Sequence, residues 1–163
     1  MSEEIRPSKP MTLPFDLIVE ADGWPDADQL SSVITRVIDA LARDQKLQVV
    51  RRVCFLFTDD IALAELNRLH RGKPGPTNVL SFPAHESAAD ELGDIALARE
   101  TLFREADEKS ISVTDHIAHL VVHGVLHLLG YDHETQLEAE TMEAIERETL
   151  SRIGIADPYQ GDR

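Results

Sequence analysis

Apolar residues recur along this chain at two different periods, and each change of period marks an element. Leu30, Val33, Ile34, Val37, Ile38 and Leu41 return at three- and four-residue steps, one face of a helix opened by Trp24-Pro25-Asp26. Before it, Phe15 to Glu20 reads as a short strand. Val49 to Phe57 reads as a second strand interrupted only by Arg51 and Arg52, and Thr58-Asp59-Asp60 starts a helix reaching about His70. Gly72-Lys73-Pro74-Gly75-Pro76 cannot continue that helix, because proline has no amide proton to donate and clashes with the preceding turn. Asn78 to Phe82 and residues 93–98 read as two more strands around a polar loop at 84–91. Helices follow at about 99–107 and from Thr114 to Leu129, the latter capped by Ser112 or Thr114. Thr135-x-x-Glu138 has the form of a capping box and opens a last helix ending near Ile153.

A strand-helix-strand unit predicts parallel neighbours, whereas the loop at 84–91 is short enough for an antiparallel pair. The expected fold is therefore α+β with α/β character: a mixed, mostly parallel sheet of about four strands, one of them antiparallel, packed with about five helices. At 163 residues and 42% hydrophobic the chain can bury one core, and no composition shift divides it. One domain is expected over 14–153, with the polar residues 1–13 disordered and 154–163 a frayed tail. Nothing near the start has the basic-then-apolar form of a secretion signal, and the most apolar stretch, 117–129, is interrupted by histidines. A cytoplasmic location away from membranes is expected. The single cysteine, Cys54, excludes an internal disulfide and reads as a small buried hydrophobe.

Five of the seven histidines lie between residues 116 and 133. His123 and His127, four apart on the expected helix, share a face and can turn both imidazoles to one ion. The third ligand cannot lie further along the same helix, where eight residues already rise about 12 Å. Gly130 permits the left-handed conformation that ends a helix and returns His133 to the pair. Three imidazoles, with no fourth Cys or carboxylate at motif spacing, predict one tetrahedral zinc ion per chain with a position open to water, the mark of a catalytic site. His119 sits one turn earlier and cannot share the ion with both ligands; it and His116 are expected to pack or support. Zinc peptidases that begin H-E-x-x-H place a glutamate base beside the first histidine, and here that place is Gly124. A glycine cannot take a proton, so a different hydrolysis is expected.

RGKPGPTNVLSFP (Arg71–Pro83), LGDIALA (Leu92–Ala98) and HGVLHLLGYDH (His123–His133) stand in that order, and over roughly residues 50–135 the chain resembles the YbeY family of bacterial metal-dependent endoribonucleases. The resemblance implies a zinc-dependent hydrolase that cuts single-stranded RNA, not DNA. It implies action in maturation of the 3′ end of small-subunit ribosomal RNA and in ribosome quality control. It also makes Arg71 a catalytic residue, its guanidinium meeting charge that builds on phosphoryl oxygens; read from the residues alone, Arg71 is a surface cation or a helix cap. Lys73 and Arg68 are candidate contacts to the RNA backbone. Asp94 is a candidate to orient a ligand histidine or to bind solvent, and Asp132 to serve in the turn, to orient a ligand or to accept a proton. Asn78 and Ser81 either meet substrate or neighbours of the metal site, or hydrogen-bond along a strand edge. Water acidified by the ion or the RNA 2′-hydroxyl can be the nucleophile. Two alternatives stand beside this: a zinc peptidase-like hydrolase with a base from elsewhere, and a non-catalytic ribosome-assembly factor with a structural zinc.

Charge argues against tight unaided RNA binding. Thirty acidic side chains against 16 basic ones give a net −14, a field that repels phosphate. Between Arg51 and Lys73 there are five basic residues and three acidic ones, a local excess of two positive charges, while the helix after Glu134 is acidic. The expectation is a basic strip beside the metal that holds one RNA strand, with a ribosomal particle or ribosome-associated protein supplying further affinity.

Overall fold

Among the described residues five helices and four strands follow in the order the hydrophobic periods predict: β1 (Phe15–Val19), α1 (Ala27–Asp44), β2 (Arg52–Thr58), α2 (Asp60–Arg71), β3 (Val79–Pro83), β4 (Glu91–Ala98), α3 (Arg99–Glu108), α4 (Val113–Leu128) and α5 (Gln136–Arg152). The structure is a computed structural model and describes residues 13–45, 51–71 and 77–160. Of residues 1–13, expected to be disordered, Leu13 is instead buried in the core; residues 1–12, the first residues of the expected second strand at Val49 and Val50, and the loop from Gly72 to Pro76 with Lys73 lie outside the described residues.

The sheet order is β1-β2-β4-β3. β1 and β4 run parallel to β2, while β3 pairs antiparallel with β4. The reason is connection length: α1 is the crossover between β1 and β2, and only a polar loop joins β3 to β4. β3 therefore forms one edge of the sheet.

α1 starts with a reciprocal cap, Gln29 N–H donating to Asp26 Oδ1 at 2.9 Å and Asp26 N–H to Gln29 Oε1 at 3.1 Å. Its predicted stripe, Leu30 to Leu41, is buried against the sheet and α4. Val53, Phe55 and Phe57 of β2 and Ile95 and Leu97 of β4 supply the same core from the sheet. Leu63 of α2 packs on Leu80, Ala96 and Ala98, which alternation places on the opposite face. α4 is the central helix, buried along most of its length and touching α1, α3, α5, β3 and β4. Its N-cap is Ser112, whose Oγ accepts from Asp115 N at 3.0 Å.

The segment after α5 differs from the frayed tail expected of it. Ile155 packs against the core and its amide bonds Leu150 O at 2.9 Å, while the Tyr159 ring meets His119 edge-on at 5.4 Å. Two large side chains with buried partners outweigh the polar composition of the segment. Among the described residues no helix is long and apolar enough to cross a membrane.

Candidate metal centre

α4 brings His123 and His127 to the same side, and the chain reversal after it delivers His133. The reversal is a Schellman motif: Gly130 N donates to His127 O at 3.0 Å and Tyr131 N to Leu126 O at 3.0 Å. Gly130 has φ +104° with open space where a Cβ would stand, so the backbone angle and not crowding selects glycine. Asp132 Oδ1 accepts from the His133 amide at 2.8 Å, so Asp132 takes the turn role among those expected of it.

One nitrogen from each of the three rings falls within 4.8 Å of the others. The Nε2 atoms of His123 and His127 are 3.0 Å apart. His127 Nδ1 donates to Tyr131 O at 3.0 Å, and His123 Nδ1 donates to the Glu146 carboxylate at 2.6 Å. Both rings then present lone pairs from Nε2, and burial, followed by the neighbouring His123 and His133 rings, pushes His127 below the ordinary imidazole value. Two facing lone pairs repel unless a cation lies between them. Tetrahedral zinc with bonds of 2.0–2.1 Å holds ligand nitrogens about 3.3 Å apart, so the donor set and its spacing fit such an ion.

The three rings open on a cavity of about 320 Å³ whose other wall is Asn67 of α2 and residues 77–81, leading into β3. Asn78 lines it while its amide donates to both Glu105 oxygens at 2.9 and 3.3 Å. Ser81 Oγ donates to Gly124 O at 3.1 Å and seats α4 against β3. Gly124 faces the sheet: a Cβ there would stand 3.0 Å from Ile95 Cδ1 and 3.2 Å from Ser81 Oγ. The place of a peptidase base is thus a packing contact between α4 and the sheet.

The other candidates divide. Arg71 closes α2 one turn beyond Asn67, and Lys73 lies outside the described residues. Arg68 is paired with Glu65, 2.6 Å away on the exposed side of α2. Asp94 does not support a ligand. Ile95 contacts α4, so alternation sends Asp94 to the other face, into a groove with Cys54, Leu56 and His70. Cys54 is half-buried there, its thiol pushed up by burial and then by Asp94, Asp16 and Glu91. The basic strip is weaker than its count: Arg52 bonds Asp16 at 3.1 Å, and its partner Glu91 lies at the far end of β4 from Leu97, the partner of cavity-lining Val79.

Glu146 is the residue that the motifs did not reveal. It is fully buried on α5 and accepts from His123, from His119 Nε2 at 3.4 Å, and from the Tyr159 hydroxyl. Burial alone would raise its carboxyl, but the hydrogen bonds from His119 and His123 outweigh it and hold the group at about 2. Burial and this carboxylate push the Tyr159 hydroxyl up, so it stays a donor. The legible signal was position: Glu146 sits between Met142 and Leu150 at four-residue steps on a buried stripe. His119 thus supports a ligand, and His116 ties α4 to α3 through Glu105 at 2.9 Å.

Residues 20–154 match the family described as Endoribonuclease YbeY. The chain belongs to the YbeY family. Endoribonuclease YbeY of Maricaulis maris is 46% identical over 147 residues, covering 90% of this chain and 92% of that one. The Bartonella henselae endoribonuclease YbeY is 44% identical over 151 residues, covering 89% and 96%. The solution structure of TM1509 from Thermotoga maritima aligns over 85% of this chain and 91% of its own with a TM-score of 0.56 at 24% identity, a likeness of fold. Endoribonucleases are hydrolases of RNA phosphodiester bonds, and this YbeY chain is an enzyme of that class with a histidine triad placed to hold a metal ion.

Proposed function

We propose that this chain is a zinc-dependent endoribonuclease specific for single-stranded RNA, acting in the cytoplasm on the 3′ end of small-subunit ribosomal RNA and in ribosome quality control. The observation that carries the reading is three imidazoles grouped at a cleft with, among the described residues, no fourth ligand closing the group. His123, His127 and His133 would hold one ion, and such an ion acidifies water and polarises a phosphoryl oxygen. Glu146 and the Tyr131 carbonyl keep the Nδ1 protons of His123 and His127, so both Nε2 atoms stay available. Arg71 supplies positive charge where negative charge grows on the phosphoryl oxygens, and Lys73, with Arg68 released from Glu65, contacts the RNA backbone. The edge strand β3 forms the wall along which one unpaired strand lies. The net charge of −14 leaves affinity to be supplied by a ribosomal particle or a ribosome-associated protein.

The test is metal analysis of the purified chain with cleavage of a single-stranded RNA. Expected are one zinc per chain, cleavage lost in chelator with the fold kept, and recovery on adding zinc back. Retention of the fold without metal follows from α4, whose buried face packs on other helices and the sheet independently of the rings. Chelator-resistant cleavage would remove the metal from the mechanism. The product ends distinguish the nucleophiles, since a 2′,3′-cyclic phosphate shows attack by the 2′-hydroxyl.

Arg71→Ala is expected to fold with an unchanged melting temperature and to lose about 10²- to 10³-fold in cleavage rate, the usual cost of removing one donor to a transition-state oxyanion. Cleavage at the normal rate by this variant would take Arg71 out of the site.

A further inference from the structure

Both oxygens of one buried carboxylate are occupied from three directions. Glu146 Oε1 takes the His123 Nδ1 proton at 2.6 Å, while Oε2 takes His119 Nε2 at 3.4 Å and the Tyr159 hydroxyl. A carboxylate with no exposure is costly to retain on a stripe shared with Met142 and Leu150, where a hydrophobe would pack. Its partners explain what it does there. We propose that the segment after α5 is a working part of the metal site, with Tyr159 a positioning residue that acts through Glu146 on the ligand His123.

His123 can offer Nε2 to an ion only while Nδ1 keeps its proton, and Glu146 Oε1 is the group that keeps it. For Oε1 to stay in place the carboxylate must not turn about its bond to α5. Oε2 is the handle. Its contact with His119 is long, so the tyrosine hydroxyl is the stronger restraint on that side. Tyr159 is itself held, its amide bonding Asp157 Oδ1 at 2.8 Å beyond the anchor at Ile155. It also lies past residues 20–154, the span matched by the family. Four groups from α4, α5 and the tail thus form one chain: Tyr159 to Glu146 to His123, with His119 bracing the middle.

This inference rests on the metal reading of the triad, and its test reads zinc binding, not RNA cleavage. The full chain, stripped of metal, is titrated with zinc alone against a chromophoric chelator. The ring nitrogens of His123 are followed by 15N NMR, and melting is recorded in chelator. Tyr159→Phe is expected to bind zinc about tenfold more weakly, and Glu146→Gln about 10- to 100-fold more weakly, the range for partners of metal ligands. Both variants should show His123 partly protonated at Nε2 in the metal-free protein, a change that lost packing alone does not produce. Tyr159→Phe decides the matter if Glu146→Gln does not fold. Wild-type affinity and tautomer in a folded Tyr159→Phe would overturn the positioning role and leave the triad standing. Absence of zinc binding by the wild type would overturn both.

Discussion

His127→Ala should give a folded protein that has lost its zinc and cleaves single-stranded RNA about 10³-fold or more slowly. The fold survives because the ring is only half-buried and its one bond to the main chain, to Tyr131 O at 3.0 Å, is worth about 1 kcal/mol against a total stability of about 5–15 kcal/mol. Function does not survive. Two imidazoles cannot define a tetrahedral site, and His133, at an exposed bend, has no second route to the ion. Circular dichroism, metal content and a cleavage assay on the same preparation check each clause. A structural zinc predicts the reverse, collapse of the fold on losing the ligand, so an unfolded His127→Ala beside a fully active Arg71→Ala would favour a non-catalytic assembly factor.

Gly124→Glu restores the peptidase spelling of the motif and is expected to destroy the protein instead of changing its substrate. The new Cβ alone meets Ile95 Cδ1 at 3.0 Å and Ser81 Oγ at 3.2 Å, and the rest of the side chain has to enter a packed layer between α4 and the sheet. Overpacking of this kind costs about 1–3 kcal/mol, and burying a carboxylate without a cation adds more. For a chain of this length the melting temperature should fall by about 10 °C or more, with much of the protein insoluble. A carboxylate wedged against Ile95 and Ser81 is not free to serve a bound water, so no peptide hydrolysis is expected. A stable variant that cuts peptides would revive the peptidase alternative.

Particular residues show where a chain of this kind is legible. The stripe of α1 and the reversal at Gly130 could be read because each obeys one local rule, helical period or left-handed backbone. Asp94 could not. β4 is buried on both faces along Ile95 to Ala98, so the alternation that would assign a side to each residue is lost, and only contact with α4 shows which way the strand faces. The basic strip is thinner than its count for a related reason: a count of charges along the sequence is blind to Asp16 and Glu65, which pair with two of the five cations. Glu146 and Tyr159 reach the triad from outside the motif, through contacts no spacing encodes.

The three imidazoles do not share a foundation. His123 and His127 ride on α4, the most enclosed helix, whose amides can exchange only when much of the molecule opens, whereas His133 hangs from a few residues held by one glycine and one aspartate. Loading and release of an ion held by the triad are therefore expected to be paced by fluctuation of that short bend. The pair on the helix would keep the address while the third ligand swings, so a bound metal would exchange without loosening the interior.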